Sequence, residues 1–374
     1  MNQIPLAVPH MSGKEQKYIQ QAFETNWIAP LGPNVDQFEA NLATYTGAKD
    51  VAVTNSGTSA IHLALTLLNV QKGDTVFCST FTFIASINPA LYLGATPVFI
   101  DSEIDTWGMS PIALANALED AASKNKLPKA IIVVHLYGQS CKMDEIMALA
   151  NRYDIPVIED AAESLGSTYK GRQLGTIGTF GIYSFNGNKI ITTSGGGALV
   201  SNDTKQIEKA RHLASQAKED APYYSHREVG FNYRLSNVLA GIGIAQLDVL
   251  EERITKKRAI FQAYEAAFAD NSALTFLPEW QETFNNRWLT TVLLEGVSPE
   301  TVIELLAKKG IESRRLWKPM HTQPLFQDVA YYSEHTDVSH ADLLFQKGLC
   351  LPSGTQLTDN QMDYICQTLR EVCK

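Results

Sequence analysis

The chain has 374 residues, 45% of them apolar and 19% charged, with a formal net charge of −9. That length supports two domains with a substantial core, and the acidic balance argues against a nucleic-acid surface or an anionic membrane as the main partner, because both call for a basic patch. Cys78, Cys141, Cys350, Cys366 and Cys373 form no C-x-x-C pair, MNQIPLAVPH lacks a signal pattern, and no apolar run reaches the ~18 residues of a spanning helix, so a soluble cytoplasmic protein without disulfides is expected.

Pro5 and Pro9 keep the start extended. Ser12, with Glu15 three residues on, has the spacing of a capping box and predicts a helix to about Thr25. After the turn-rich WIAPLGP, Asn34 is positioned to cap a helix carrying Phe38, Leu42 and Tyr45 on one face. From Asp50 an alternation begins: strand 51–54, helix 58–68, strand 76–79, helix 83–93, strand 98–100, helix 114–124, strand 130–138, helix 143–153, strand 156–162, then strands 181–184 and 198–201. This rhythm predicts an α/β domain with a largely parallel sheet, whose ligands sit at the carboxyl ends of the strands, where Asn55, Asp101, His135 and Asp160 fall. Residues 205–228 are polar and loop-rich. A long helical stretch, 235–268, follows, with Gly241 and Gly243 as its local breaks. A strand near 288–294, a helix from 299 to 308, a loop rich in Pro, Trp and His, and a helix from Asp359 complete the pattern. The expected division is 1–250 for the large domain and 251–374 for a smaller α+β domain.

Three stretches carry candidate chemistry. Between the first strand and its helix, the small residues of NSGTSA, Asn55 to Ala60, suit an anion cradle at a helix N-terminus; an ordinary cap by Ser56 or Thr58 is the plainer alternative. In VIEDAAE, Asp160 follows buried-strand residues, where an unpaired carboxylate is expensive, so it should face a cation, a protonated ring nitrogen or a metal. Glu159 and Glu163 lie close by, but His135 and His212 supply no ligand spacing, and no metal is expected. The third stretch, FGIYSFNGNKIITTSGGGALV, holds a single charge, Lys189, among small and hydroxylic residues. Such a lysine is either a lone surface charge or an amine held in an enclosed pocket, where it loses its proton easily and forms a Schiff base with a carbonyl. A phosphate cradle, a buried carboxylate and a secluded lysine are together the three fixing points of pyridoxal 5′-phosphate.

At these residues the chain resembles the DegT/DnrJ/EryC1/StrS group of sugar aminotransferases, which are fold-type I pyridoxal-phosphate enzymes. The resemblance covers nearly the whole length through NSGTSAIHLAL, TFTFIAS, VHLYGQSCKMDEI, PVIEDAAESLGS, YSFNGNKIITTSGGGALVSND and GFNYRLSNVLAGIG. It implies a large domain with a mostly parallel sheet of the seven-stranded type. It also implies a homodimer with shared active sites, and an amino group passed from L-glutamate to a nucleotide-linked keto-sugar. SFNGNKIITTSGGG looks most like the branch acting on UDP-linked 4-keto-6-deoxy N-acetylhexosamines, as in bacillosamine synthesis. A dTDP- or GDP-sugar aminotransferase of perosamine type is the alternative within the family. A sugar dehydratase typically has histidine where this chain has Lys189, and a non-catalytic member would lack the lysine or the aspartate.

Carried over to this sequence, the resemblance implies that Lys189 holds the cofactor's aldehyde and moves the proton, while Asp160 pairs with the pyridine nitrogen. Gly57, Thr58 and Ser184 would hold the phosphate, and Phe83 would stack on the ring. Asn232 would reach the cofactor phosphate of the partner subunit. Glu163 occupies a position near the phenolic oxygen where relatives often have His or Gln; a glutamate there must be protonated or turned away. Candidates for substrate contact are His135, Asn188, Arg234, Trp317, Lys318 and His321. For His135 a core hydrogen bond, for Arg234 a structural ion pair, and for the Trp317–His321 loop a plain surface role are the competing readings.

Overall fold

The computed structural model describes residues 3–335 and 337–373. Five strands follow one another with intervening helices: β1 (Asp50–Thr54), β2 (Thr75–Ser79), β3 (Thr96–Ile100), β4 (Ala130–Val134) and β5 (Val157–Asp160). Then come the two-residue strands β6 (Thr168–Tyr169) and β7 (Arg172–Gln173), followed by β8 (Phe180–Ser184) and β9 (Gly197–Ser201). The last third adds β10 (Leu274–Phe276), β11 (Thr283–Phe284), β12 (Thr290–Leu294), β13 (Arg314–Arg315), β14 (Tyr331–Tyr332) and β15 (Gly348–Leu351).

The large sheet has the order β1-β9-β8-β5-β4-β2-β3-β14. Only β9 runs against its neighbours; every other pairing is parallel. Seven strands come from the first 201 residues, as the alternation predicts. The eighth, β14, comes from the C-terminal third and pairs Tyr331 with Phe99. Two residues are too few to carry a period, so no sequence pattern announces it. β4 is buried from end to end because helices cover both sheet faces: Ile131 and Val133 join one core cluster, while Ala130 and Ile132 join the other. Each fully buried Ile or Val side chain among these contributes about 1.5–3 kcal/mol. A second sheet, β10-β12-β15-β13, packs with the helices Leu250–Ala267, Pro299–Lys308 and Asp359–Val372 around its own core.

Several local expectations change. The first helix starts at Glu15, and Ser12 does not cap it; the Glu15 carboxylate instead accepts the N–H groups of Ser12 (2.7 Å) and Gly13 (3.0 Å). The second helix, Pro33–Thr46, is capped from a distance: Asn237 Oδ1 accepts Asn34 N–H at 2.8 Å and Val35 N–H at 3.3 Å. Gly32 is required there, because φ is +139° and a Cβ would lie 2.7 Å from Asn237 Oδ1. Residues 83–93 form a 3₁₀ turn, Ile84–Ser86, and a short helix, Asn88–Tyr92, rather than one helix. The strand expected over 130–138 stops at Val134, since Leu136–Gly138 turn away with φ positive at Tyr137. Thr204–Ala214, expected as loop, is a helix capped by Asp203; its polar residues lie on the solvent side, and Ile207, Ala210 and Leu213 are buried. The long stretch 235–268 is two helices, Asn237–Leu247 and Leu250–Ala267, broken at 248–249 and not at its glycines. Gly243 sits inside the first for packing: a Cβ there would lie 2.6 Å from the Phe38 ring.

Candidate active site

The carboxyl ends of β1, β5 and β8 open into a cavity of ≈ 450 Å³, lined by Gly57, Thr58, Asp160, Glu163, Ser184 and Lys189 among others. Its floor begins where β1 turns into the helix Gly57–Leu67. Ser56 caps that helix, its Oγ accepting Ser59 N–H at 3.1 Å, and Ser56 O accepts Ala60 N–H at 3.2 Å. Among the described residues the N–H groups of Gly57 and Thr58 are then left without a partner, at the positive end of the helix dipole. The cap and the cradle are therefore compatible, since Ser56 serves one and the next two residues serve the other. Ser184 ends β8 beside this turn. A Cβ on Gly57 would stand 3.3 Å from that of Ser184, a tight contact that a larger residue would relieve only by a small shift of the neighbour.

Asp160 ends β5 and is 6% exposed. Its Oδ2 accepts the Ser86 hydroxyl at 2.6 Å and its Oδ1 accepts Ala162 N–H at 3.2 Å. Ser86 Oγ lies 2.8 Å from Thr82 Oγ1, so the 3₁₀ turn after β2 supplies a hydroxyl pair that orients the carboxylate. The neighbouring Glu159 faces the other way. It takes His135 Nε2, Gly175 N–H, Ile177 N–H and Gly178 N–H, all between 2.6 and 2.9 Å. Burial opposes its charge, but these donors hold it below the ordinary carboxylate range.

Lys189 follows the turn after β8, its N–H bonded to Asn186 O at 3.0 Å. Its Nζ stands 3.5 Å from Glu163 Oε1 and 4.4 Å from the centroid of the Trp288 ring. Glu163 Oε2 accepts Tyr137 N–H at 2.8 Å. Burial pushes the Glu163 carboxyl up, and the nearby Lys189 charge and the Tyr137 N–H offset this only in part.

Phe83 lines the cavity and is 52% exposed, a large apolar ring with a free face, with the Trp317 ring 5.2 Å away. Asn188 lines the cavity as well, and its carbonyl accepts the Trp288 indole N–H at 2.8 Å. The remaining candidates lie elsewhere. His135 is fully buried, bonds to Glu159 through Nε2 at 2.9 Å and has Cys141 N 3.3 Å from its Nδ1; burial opposes its charge, but Cys141 and the Glu159 carboxylate push its pKa up to about 9. Arg234 donates to Glu39 at 2.6 Å, next to an Arg211–Glu39 pair at 2.9 Å. His321 stacks on Tyr331 and bonds to Thr80 at 2.7 Å, tying the C-terminal loop to the large sheet. Lys318 is exposed, and its carbonyl accepts Gln323 Nε2. Asn232 is also exposed and lies outside the cavity of its own chain, its carbonyl bonded to Asn55 Nδ2. Sequence reasoning missed Ser86 and Arg314, which line the cavity, and Trp288, whose ring lies beneath Lys189. Ser86 stands in the TFTFIAS block and was legible as a hydroxyl near Phe83. Trp288 and Arg314 have no local signal, because only tertiary contacts bring Trp288 to Lys189 and Arg314 to the cavity.

These donors fit pyridoxal phosphate. Two free N–H groups and a hydroxyl suit the phosphate, an oriented carboxylate suits the protonated ring nitrogen, the amine suits the aldehyde, and the open Phe83 face suits the ring. Residues 9–370 match the DegT/DnrJ/EryC1/StrS aminotransferase family, and the chain belongs to it. It is 58% identical over 367 residues to EpsN of Bacillus subtilis (strain 168), by name a pyridoxal phosphate-dependent aminotransferase, covering 98% of this chain and 95% of EpsN. It is 36% identical over 372 residues to the GDP-perosamine synthase of Escherichia coli O157:H7, with 99% of each chain covered. Among solved structures it resembles Spr1654 of Streptococcus pneumoniae, by name a sugar aminotransferase, in its PLP form (TM-score 0.90, 26% identity, 99% of this chain and 98% of that one). The protein is thus a pyridoxal phosphate-dependent sugar aminotransferase. No helix among the described residues is long and apolar enough to cross a membrane.

Proposed function

We propose that this enzyme transfers the amino group of L-glutamate to the C4 keto carbon of a UDP-linked 4-keto-6-deoxy N-acetylhexosamine. The observation that carries the chemistry is the meeting of Lys189, Asp160 and Glu163 in one cavity that continues past Asn188 to Arg314 and Trp317, leaving room beyond a cofactor. When bound, pyridoxal phosphate supplies an aldehyde for the amine and a ring that accepts the electrons released at the reacting carbon. Gly57 N–H, Thr58 N–H and the Ser184 hydroxyl would hold the phosphate, and Phe83 would cover the ring. Asp160, oriented by Ser86 and Ala162 N–H, keeps the ring nitrogen protonated. Lys189 Nζ would hold the aldehyde and would move the proton to C4 of the sugar. Glu163, whose carboxyl is pushed up by burial, would face the phenolic oxygen and would donate to it when protonated.

The chain works as a homodimer in this reading. The exposed Asn232, outside its own cavity, reaches the cofactor phosphate of a second copy. The division between large and small domains falls near residue 250, just after the break at 248–249. The UDP preference rests on the form SFNGNKIITTSGGG. The relation to a GDP-perosamine synthase favours a second reading with a GDP-linked sugar. Amination rates against UDP-, dTDP- and GDP-4-keto-6-deoxy sugars separate them: the UDP compound is expected to react at least about tenfold faster, a difference of about 1.4 kcal/mol. Equal rates, or a GDP preference, would overturn the UDP assignment.

A further inference from the structure

A second lysine is buried behind the wall of the cavity. Lys257, on the helix Leu250–Ala267, is 5% exposed, and no carboxylate pairs with it among the described residues. Its Nζ donates to two backbone carbonyls, Trp288 O at 2.7 Å and Ser353 O at 2.9 Å. Burial alone pushes its pKa down to about 7. A neutral amine still carries two N–H groups, one for each carbonyl, so the clamp holds in either protonation state.

The residue it clamps is the one beneath Lys189. Trp288 is fixed at three further points: its backbone N–H donates to Asn286 Oδ1 (2.8 Å), its indole N–H donates to Asn188 O (2.8 Å), and its ring centroid lies 4.4 Å from Lys189 Nζ. Asn286 in turn donates to Glu163 O and Leu165 O, each at 3.0 Å. Ser353, the other end of the clamp, accepts Thr290 N–H at its hydroxyl and donates its own N–H to Leu6 O. The chain of contacts therefore runs from the small sheet through one backbone carbonyl to the reactive amine. A methionine would pack at position 257 without desolvating an amine but would leave the Trp288 and Ser353 carbonyls without this donor, so the lysine is there for those two carbonyls.

We propose that Lys257 is a positioning residue for Lys189, acting through the Trp288 carbonyl to keep the indole ring beneath the amine and so to fix the direction from which Lys189 meets an aldehyde. The inference rests on the reading of Lys189 as the residue that holds the cofactor. The test uses cofactor-free full-length protein and follows the rate at which added pyridoxal phosphate is captured, by absorbance and by borohydride trapping at Lys189, with thermal melting recorded for every variant. Lys257→Met is expected to slow capture about tenfold, and in a Trp288→Leu background the same change is expected to have less than about a twofold effect, since coupled residues do not add. Should Lys257→Met fail to fold, Lys257→Gln is measured in the same two backgrounds. Capture at the wild-type rate, or an equal loss in both backgrounds, overturns the proposal. If wild-type protein is not trapped at Lys189 at all, it is the assignment of Lys189 that fails.

Discussion

Glu159 and Asp160 are adjacent on β5, and successive side chains of a strand point to opposite faces, so the two carboxylates meet opposite environments. Glu159 is surrounded by four donors and has no capacity left. Asp160 has two donors and one side open to the cavity. The first is a structural anchor that holds the 175–178 turn and His135 in place; the second is held ready for a ligand. A buried charge with all its bonds made is costly to break, whereas one with a bond to spare is available for chemistry. The two lysines repeat the contrast. Lys257 has both its partners, whereas the Lys189 amine has an aromatic face and a carboxyl whose ionisation is disfavoured.

Substitutions on the two sides should separate function from stability. The largest effect is expected at the open side: Lys189→Ala should lower turnover by at least about 10²–10⁴-fold in a steady-state assay with glutamate, and full activity would remove Lys189 from its role. Across β5, Asp160→Asn should lose about 10²–10³-fold in turnover with little change in melting temperature. Glu159→Gln should do the reverse, losing about 2–5 kcal/mol of stability in urea unfolding while the folded fraction keeps its activity. Because its donors hold the Glu159 carboxyl low, that stability is present above the unfolded glutamate pKa of about 4.3 and is lost as pH falls through the folded value. Equal thermal and kinetic losses at the two positions would break the comparison. The smallest effect is expected at Glu163, whose carboxyl is pushed up by burial, so that its ionised form destabilises the fold. Glu163→Gln should raise the melting temperature of cofactor-free protein by a few degrees at pH 8, and the gain should vanish as pH falls below about 4.3. A gain that grows in acid would contradict that sign.

Much of this arrangement was legible in the sequence because it is local. The alternation of strand and helix, the small-residue turn at 55–60, the carboxylate at the end of an apolar strand and a lone lysine in a small-residue loop are patterns of near neighbours. Their meeting at the carboxyl ends of the strands follows from parallel topology. Among residues singled out as candidates, the structure gathers Gly57, Thr58, Phe83, Asp160, Glu163, Ser184, Asn188, Lys189 and Trp317 around one cavity. It sets His135, Arg234, Asn232, Lys318 and His321 apart. A side chain at the end of a strand looks the same in sequence whether it turns toward the cavity or into the core, and only the register of the pleat decides.

The sequence by itself therefore determined the class of fold and the small-residue turn, the strand-end carboxylate and the lone lysine that meet in one cavity, since each depends on residue types within a few positions of one another. Tertiary structure alone decided which polar side chains had partners already: Arg234 through Glu39, His321 through Thr80, His135 through Glu159. It also decided that Asn237 caps a helix 200 residues before it, that β14 completes the large sheet, and that Trp288 and Lys257 stand behind Lys189. Those contacts join segments far apart in the chain. The free energy that selects them comes from burying both partners together, which no local pattern records.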